Sequence, residues 1–327
     1  MYPCKHVSGS RTCRFTDRTG SKQLENNSTC RRVFEQTLTK RFCVTRFIYL
    51  ADTHLGASPL GYYQQTPYPK KVEEILATLD TWIQQTGDID FLIHGGDMVD
   101  FVSEDQIRLA ADLFQLSIPV YLCLGNHDLT AEDSLSQWLA VAPEFFPGGC
   151  PEYLIETQDG GIYVMPNQWC ETPYYWGNVQ DPQFSHDQQT GFEENVSVSS
   201  RNLRVFVTHS PVFGLPSGQT KLPGPLHEPD VSFSRSVRSL IAPCNGVQCV
   251  AGAHNHMNMH IEKAGIHYVT VSAFVESPFE FKLFEMHPDQ LSMTTISLRE
   301  HLPFMAGYDG EKMFVQGRTV DRSFKQN

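Results

Sequence analysis

Short apolar runs that end abruptly in polar residues recur along the chain between residues 46 and 256. In the clearest of them, the run Val120–Leu124 is followed at once by Gly125-Asn126-His127-Asp128. An uninterrupted apolar run of this length predicts a buried strand. In open α/β sheets, the polar residues that follow a strand reach the crevice at its carboxyl end, where ligands bind. The pattern therefore predicts a site that is built from strand ends.

Residues 46–128 alternate between strand and helix signals. Apolar runs predict strands, and apolar residues spaced three and four apart predict helices, with Ser103 as the N-cap of the second helix. In chain order, the predicted elements are a strand at 47–51, a helix at 70–85, a strand at 91–93, a helix at 104–115 and a strand at 120–124. This order predicts a sheet with helical crossovers.

Beyond residue 128 the pattern changes character. The predicted elements are helices at 134–141 and 232–241, a hairpin at 153–165, strands at 203–207 and 247–251, and period-two strands at 258–262, 266–271, 279–286 and 291–297. The last four indicate a second, antiparallel-rich sheet. Residues 166–200 show no clear period, and the loop at 211–230 is long enough to suggest a function.

Composition limits the class of protein. The 327 residues are 40% hydrophobic and 19% charged, which is typical of a soluble globular chain of one or two domains. The net charge is −12, although residues 1–45 carry nine Lys and Arg against three acidic residues. We therefore expect a basic, disordered leader at 1–45, a domain at 46–300 and a tail at 301–327. The acidic body argues against an extensive nucleic-acid surface.

The sequence also bears on location. No apolar run approaches the roughly 20 residues of a membrane helix, and the N-terminus lacks the apolar core of a secretory signal. We expect a cytoplasmic protein that does not bind a membrane and whose cysteines are reduced, while the leader leaves organellar targeting open. Four of the nine cysteines could in principle hold zinc but lack the usual spacing, namely Cys4, Cys13, Cys30 and Cys43.

Candidate metal ligands follow five predicted strands. They are Asp52 and His54, Asp97, Asn126 and His127, His209, and His254 and His256. The set contains oxygen and imidazole groups but no thiol, which suits Zn, Fe or Mn. Eight candidates exceed the needs of one ion, and two ions about 3.5–4 Å apart are the usual arrangement for phosphoester displacement. A lone histidine is more often structural, so it is the ordered set that predicts a metal centre.

The same residues resemble the five-part signature of the calcineurin-like metallophosphoesterases, over residues 46–297. The signature is Asp52-x-His54, Gly96-Asp97, Gly125-Asn126-His127-Asp128, His209 and His254-x-His256. The resemblance implies an α/β fold of two mixed β-sheets flanked by helices. It also implies two ions, one held by Asp52, His54, Asp97 and His256, and the other by Asp97, Asn126, His209 and His254. Ala253 departs from the glycine that usually precedes the first of the paired histidines.

The mechanism that this implies is phosphoester hydrolysis, in which a hydroxide that bridges the two ions attacks phosphorus. His127 would protonate the leaving group as a general acid. Asp128 would hold the tautomer of His127, as carboxylates do for other functional histidines. The alternative for Asp128 is a helix N-cap or a turn residue.

The substrate is less well specified. Protein Ser/Thr phosphatases of this family carry arginines beside two of the motifs, where this chain has Phe101 and Leu124. The stretch 51–56 is similar to the opening of recombination nucleases, and the Gly-Asn-His-Asp form is similar to the cyclic-nucleotide phosphodiesterases. We expect a small-molecule phosphodiester, with a small phosphomonoester or DNA as alternatives. A non-catalytic scaffold is disfavoured because no ligand is altered, and the oligomeric state stays open.

Other aromatic residues and histidines lie near the motifs. Two aromatic groups could wall a site or stack on a base, namely Trp169, Tyr174, Tyr175 and Trp176, and Tyr62 and Tyr63. For the first group we favour a surface loop that is fixed by its own aromatic side chains, and for Tyr62 and Tyr63 both interpretations stay open. We interpret four further histidines as structural or as supports behind the ligands: His94, His227, His260 and His267.

Overall fold

The structure, a computed structural model, describes residues 33–35 and 44–327. Its strands form two mixed sheets, which confirms the predicted architecture, but the four period-two strands at 258–297 divide between the two sheets instead of forming one of them. The strands are β1 Val33–Glu35, β2 Thr45–Leu50, β3 Phe91–His94, β4 Val120–Leu122, β5 Tyr153–Thr157, β6 Gly160–Val164, β7 Leu203–Val207, β8 Cys249–Gly252, β9 Met259–Lys263, β10 Ile266–Thr270, β11 Glu280–His287, β12 Gln290–Ser297 and β13 Ser323–Gln326. The helices are α1 Val72–Thr86, α2 Glu104–Leu113, α3 Ser134–Val141, α4 His186–Val198, α5 Ser217–Thr220 and α6 Val231–Ile241.

Each sheet contains a group of neighbouring parallel strands, three in the six-stranded sheet and four, with β10, in the seven-stranded sheet. The six-stranded sheet has the order β13-β12-β11-β2-β3-β4, and β2, β3 and β4 are parallel. The seven-stranded sheet has the order β1-β5-β6-β7-β8-β10-β9, and β6, β7 and β8 are parallel. Parallel neighbours end at the same edge of a sheet. The loops that follow β2, β3 and β4, and those that follow β7 and β8, are therefore grouped.

The core lies between the two sheets, and the helices cover their outer faces. Side chains of a strand alternate between its two faces, and β7 shows the result. Val205 and Val207 belong to the cluster that both sheets share with α1 and α2. Phe206, between them, belongs to a second cluster with Phe192 of α4 and Phe233 of α6. The layers therefore run helix, sheet, sheet, helix.

Two helices show how much of a helix can be predicted from its own sequence. Ser103 caps α2, as predicted, because its side chain accepts a hydrogen bond from the amide of Gln106. Helix α4 lies within residues 166–200, which lack a clear period. Of its residues only Gln188 and Phe192 are buried, so it has almost no apolar stripe. Its usable signal is the capping box formed by Ser185 and Gln188.

The C-terminal residues belong to the domain, so the predicted boundary at residue 300 is wrong. Strand β13 pairs with β12 and completes the six-stranded sheet, and Asp321 is fully buried. Of the predicted leader at 1–45, the structure describes residues 44–45 and β1, which pairs with β5. The prediction of disorder for the remaining leader residues lies outside the described residues.

Cys150 is disulfide-bonded, so the expectation of reduced cysteines is wrong at this position. The free cysteines of the described part are Cys123, Cys170, Cys244 and Cys249. The four cysteines considered for zinc lie outside the described residues. Among residues that the structure describes, no helix has both the length and the apolar character needed to cross a bilayer.

Candidate metal centre

The loops that leave five parallel strands converge at one place. Asp52 and His54 follow β2, Asp97 follows β3, and Asn126 and His127 follow β4. From the other sheet, His209 follows β7, and His254 and His256 follow β8. Each of the eight side chains lines the cavity described below or belongs to a cluster of ligand atoms. The structure thus brings together all eight residues that the strand-end pattern predicts, and we call them the metal centre.

Five residues of the metal centre have a left-handed backbone. Their φ angles are 57° at Asp52, 43° at His54, 54° at Asp97, 69° at His254 and 58° at His256. Positive φ is uncommon outside glycine and costs free energy, so it persists only where the surroundings hold it. Here the amide of Asp52 donates to Gly96 O at 2.9 Å, and that of His54 donates to Asp97 O at 3.0 Å. Strain of this kind concentrates at functional sites.

Two glycines allow the loops to approach one another. A Cβ on Gly96 would lie 2.3 Å from Nδ1 of His209, and one on Gly125 would lie 2.3 Å from Oδ1 of Asp97. The structure accommodates Ala253, the departure from the family pattern, as a fully buried residue whose amide donates to His209 O at 2.7 Å.

The ligand atoms form three overlapping clusters, each with its atoms within 4.8 Å of one another. The clusters are Asp52, His54 and His256; His54, Asp97 and His127; and Asp97, His209 and His254. Asp97 lies between the outer two, because its Oδ2 is 3.9 Å from Nε2 of His54 and 3.3 Å from Nε2 of His209. The first and third clusters correspond to the two ligand sets that the family resemblance implies.

The chemistry of the centre fits bound cations. Both carboxylate oxygens of Asp52 and Oδ1 of Asn126 are buried and have no hydrogen-bond partner. Nε2 of His54 and Nε2 of His256 face each other at 3.2 Å. A buried carboxylate without a partner costs several kcal/mol, which a metal ion at the same place would offset. The donors are nitrogen and oxygen, the ligand types that suit Zn, Fe and Mn.

Hydrogen bonds at the far side of two rings set their tautomers. Nδ1–H of His209 donates to Gly95 O at 2.8 Å, and Nδ1–H of His256 donates to Glu276 at 2.6 Å. In the neutral ring each Nε2 therefore carries the lone pair and faces the centre, as metal-binding histidines require. Sequence reasoning missed Glu276. The available signal was an acidic residue directly after the largely apolar stretch 271–275.

The partner of His127 is Asp100, so the predicted role of Asp128 is wrong. Nδ1–H of His127 donates to the backbone carbonyl of Asp100 at 2.7 Å. The carboxylate of Asp100 also lies 3.2 Å from Nδ1 of His54. Asp128 instead accepts the amides of Val99 and Gly125, at 3.1 and 2.9 Å. His127 and Asp128 begin a 3-10 turn, in which successive side chains point about 120° apart, so they cannot face each other.

The pKa values of the protein side chains follow from burial and from neighbouring charges. Burial opposes ionisation of Asp97, but the imidazoles of His209 and His127 outweigh it and hold its pKa well below the usual value. For His209, burial lowers the pKa, and the carboxylate of Asp97 outweighs this and raises it to about 9. Burial, with the charge of Asp97, raises the pKa of Asp128 to about 7. Burial and His209 together lower the pKa of His254 to about 3.

A cavity of about 290 Å³ opens onto the metal centre. Besides residues of the centre, its lining includes Tyr62, Asp100, Trp176, Gln180, His227 and Asn255. The favoured interpretation of the aromatic residues at 169–176 as a surface loop is therefore wrong for Trp176. Of the two interpretations left open for Tyr62, the structure supports the one in which it walls the site. Trp169 is buried, with its ring 5.5 Å from that of His254. None of the described residues that line the cavity is lysine or arginine.

The remaining histidines divide between the cavity and the fold. His94 is buried, where Thr53 and the amide of Gly96 bond to its two ring nitrogens. His260 and His267 bond to each other at 2.8 Å and lie outside the cavity lining. These three are structural, as expected. His227 instead belongs to the cavity wall, where its Nε2 lies 3.1 Å from the hydroxyl of Tyr62.

Solved structures with a similar fold support the assignment of the architecture. A dimetal phosphatase from Danio rerio superposes with a TM-score of 0.56 at 15% identity, over 78% of this chain and 96% of the other. GAP50, the anchor in the inner membrane complex of Plasmodium, superposes with a TM-score of 0.54 at 12% identity, over 82% and 89%. At these identities the likeness shows the fold alone. No curated protein sequence matches the chain.

The sequence itself matches a family over most of the domain. Residues 45–258 match the calcineurin-like phosphoesterases, a range that contains all eight residues of the metal centre. Members of this family typically bind two metal ions, and the clustered ligands of this chain agree with that property. The chain therefore belongs to the calcineurin-like phosphoesterases and is a metal-dependent hydrolase of phosphoesters.

Proposed function

We propose that this enzyme hydrolyses small-molecule phosphodiesters with two metal ions bound at the metal centre. One ion is held by Asp52, His54, Asp97 and His256, and the other by Asp97, Asn126, His209 and His254. When bound, the ions supply Lewis-acid chemistry, which offsets charge on the phosphoryl oxygens and makes water a better nucleophile. The metal identity within the group Mn, Fe and Zn is part of the proposal.

The observation that carries the diester assignment is the absence of cationic side chains from the described lining of the cavity. A phosphomonoester dianion is best held by additional donors such as arginine forks. Arg46, which precedes the first motif, is paired with Glu285 at 2.8 Å. Arg204 bonds to Gln248 and to the carbonyls of Asp159 and His287. A diester carries one negative charge fewer, so it needs less of this support.

His127 is placed to assist the leaving group. Its Nδ1–H is held by the carbonyl of Asp100, which leaves Nε2 as the other ring nitrogen of a side chain that lines the cavity. A diester has a poor alkoxide leaving group, which a general acid helps to depart. Hydrolysis adds one water across the phosphorus–oxygen bond: the water oxygen joins phosphorus, the bond to the leaving oxygen breaks, and the leaving oxygen takes a proton from Nε2. The proton that the water gives up passes to solvent, from which Nε2 is protonated again. The products are an alcohol and a phosphomonoester.

The other functions considered agree less well with the observations. A nuclease binds a polyanion along its surface, but this chain has a net charge of −12 and a cavity lining without lysine or arginine. The Plasmodium structure is described as an anchor, so this fold also occurs in a protein with that role. A protein that served only as a scaffold would have no need of the strained, unpartnered ligands found here.

The test compares two chromogenic substrates under identical metal and pH. We expect a higher kcat/KM for bis(p-nitrophenyl) phosphate than for p-nitrophenyl phosphate, with Mn, Zn, Fe and Ni each assayed. Phosphoproteins should be poor substrates. A monoester preference of about tenfold, roughly 1.4 kcal/mol in transition-state stabilisation, would refute the diesterase proposal but not the family. His301→Ala is a suitable control for histidine variants, because His301 is exposed and lies outside the cavity lining.

A further inference from the structure

Five aromatic rings form a row across the metal centre. Ring centroids are 5.0 Å apart for Trp176 and His127, 4.7 Å for His127 and His54, 5.1 Å for His54 and His256, and 4.9 Å for His256 and Tyr62. Trp176 and Tyr62 therefore stand at opposite ends of the row. Both side chains line the cavity, so a substrate bound at the centre has one aromatic wall on each side.

The wall formed by Trp176 is fixed before any substrate binds. Its amide donates to Leu129 O at 2.8 Å, and its Nε1–H donates to Val179 O at 2.7 Å. Two residues earlier, the amide of Tyr174 donates to the side chain of Gln168 at 2.8 Å. The hydroxyl of Tyr174 donates to the carboxylate of Glu152. Side chains held in this way keep their position at low entropic cost on binding.

The wall formed by Tyr62 is fixed to the opposite end of the metal centre. Glu276, which orients His256, also accepts the amide of Gln64 at 2.9 Å. The hydroxyl of Tyr62 bonds to Nε2 of His227 at 3.1 Å, so two loops meet at this side of the cavity. Tyr62 is 41% exposed, which leaves a ring face for a ligand.

We propose that Trp176 forms the subsite for the leaving group and that Tyr62 with His227 forms the subsite for the ester group that stays on phosphorus. This assignment rests on the proposed diesterase function. His127 gives its proton to the leaving oxygen, so the leaving group lies beside His127 and against Trp176. The retained group then lies toward the other end of the row, against Tyr62. The substrates favoured are diesters whose retained group is a flat, unsaturated ring.

The experiment uses three substrates that share the p-nitrophenyl leaving group and differ in the retained position. They are phenyl p-nitrophenyl phosphate, methyl p-nitrophenyl phosphate and p-nitrophenyl phosphate, which has no retained ester. For the full chain loaded with metal, we expect kcat/KM to be roughly fivefold higher for the phenyl than for the methyl diester, since an aromatic contact has about that effect. Tyr62→Leu should bring this ratio close to one, and Tyr62→Phe should keep most of it.

Trp176→Leu should lower kcat/KM for all three substrates by a similar factor, because they share a leaving group, and should leave the phenyl-to-methyl ratio as it was. Tyr63→Leu is the matched control. Tyr63 is adjacent to Tyr62 and 49% exposed but lies outside the cavity lining. Its replacement should therefore change neither kcat/KM nor the phenyl-to-methyl ratio. Tyr62→Leu alone decides the retained subsite if Trp176→Leu does not fold, because Tyr62 is partly exposed.

Three results would overturn the assignment. They are a wild-type enzyme that does not distinguish phenyl from methyl, a ratio that survives Tyr62→Leu, and a ratio that is abolished by Trp176→Leu instead. Failure of the diesterase proposal has a different signature. In that case p-nitrophenyl phosphate is favoured about tenfold over both diesters, while the ratio between the two diesters still reports on Tyr62.

Discussion

Two buried polar clusters of this protein have opposite hydrogen-bonding states. One is the metal centre, and the other, which we call the buried charge cluster, consists of Asn258, Glu280, Lys282, Asp321 and Arg322. In the buried charge cluster, Lys282 donates to Thr295 at 2.8 Å, Arg322 donates to Glu280 at 2.6 Å, and Asn258 also donates to Glu280. In the metal centre, Asp52 and Asn126 have buried oxygens with no partner.

The difference shows that burial alone does not mark a functional site. Asp52, Glu280 and Lys282 are each fully buried, yet of these three side chains only the carboxylate of Asp52 lacks a hydrogen-bond partner. Buried polar groups in native proteins are almost always hydrogen-bonded, so an unpartnered one requires an explanation. In the metal centre the unpartnered carboxylate belongs to Asp52, a residue with a left-handed backbone, and a bound cation would offset the cost of that buried carboxylate. The buried charge cluster is complete without a ligand.

The sharpest test of the metal centre separates metal binding from proton transfer. Asp97→Ala should lose most of the bound metal and nearly all activity, because Asp97 lies between the two ligand sets. His127→Ala should keep its metal and lose roughly 100-fold or more in kcat, as removal of a general acid does. Elemental analysis beside kcat distinguishes the two. Full metal content in Asp97→Ala, or metal loss in His127→Ala, would contradict the assignment.

The buried charge cluster should show the reverse pattern, with stability lost and metal kept. Glu280→Ala leaves Arg322 and Asn258 without their partner, which should lower the free energy of unfolding by about 3–5 kcal/mol. Glu285→Ala, on the same strand, is the control. Its pair with Arg46 is about one-third exposed, so the expected loss is about 1 kcal/mol or less. Urea unfolding measures both losses. Equal losses in the two variants would mean that the buried charge cluster contributes no more to stability than an exposed ion pair.

A feature of the structure can be predicted from the sequence when the residues that determine it are close together in the chain. Apolar runs and the residues that follow them are local, so the strands within residues 46–297, Ser103 as a cap and the eight residues of the metal centre were predictable. Strands β1 and β13 were not predicted. Asp100 and Glu276 act on histidines 27 and 20 residues away in the chain, and only the packing of the sheets places them there. Asp128 was misassigned because adjacency in sequence was taken for contact.

Because the carboxylate of Asp52 has no hydrogen-bond partner, the effect of Asp52→Asn on stability should have opposite signs in metal-depleted and metal-loaded protein. In metal-depleted protein, Asp52→Asn removes a buried charge and should raise the free energy of unfolding by about 2 kcal/mol. In metal-loaded protein the same change removes a ligand and should lower stability, because the metal binds the folded state. Denaturation with and without chelator checks this. Asp112→Asn, at an exposed position, should be neutral in both, and stabilisation of Asp52→Asn in both states would argue against a metal ligand.

The smallest expected effect is a pH dependence of the free energy of unfolding, and it comes from Lys282. Burial lowers the pKa of Lys282 to about 7 in the folded protein, whereas an unfolded lysine titrates near 10.4. Between these values the unfolded chain binds more protons, so the free energy of unfolding rises with pH, by about 1 kcal/mol per unit. Below pH 7 both states are protonated, and this dependence disappears.

Replacement of Lys282 by methionine should remove this rise of the free energy of unfolding with pH. Metal-depleted Lys282→Met should be more stable than the wild type at pH 7.5, and the difference should shrink by pH 8.5, since only the wild type gains from deprotonation. Lys325→Met, at an exposed position of β13, should run parallel to the wild type throughout. Urea unfolding at the two pH values measures the slopes. If Lys282→Met also runs parallel to the wild type, Lys282 is equally protonated in both states. The buried charge cluster would then hold it as a cation paired with Glu280, and its contrast with the metal centre would rest on hydrogen bonding alone.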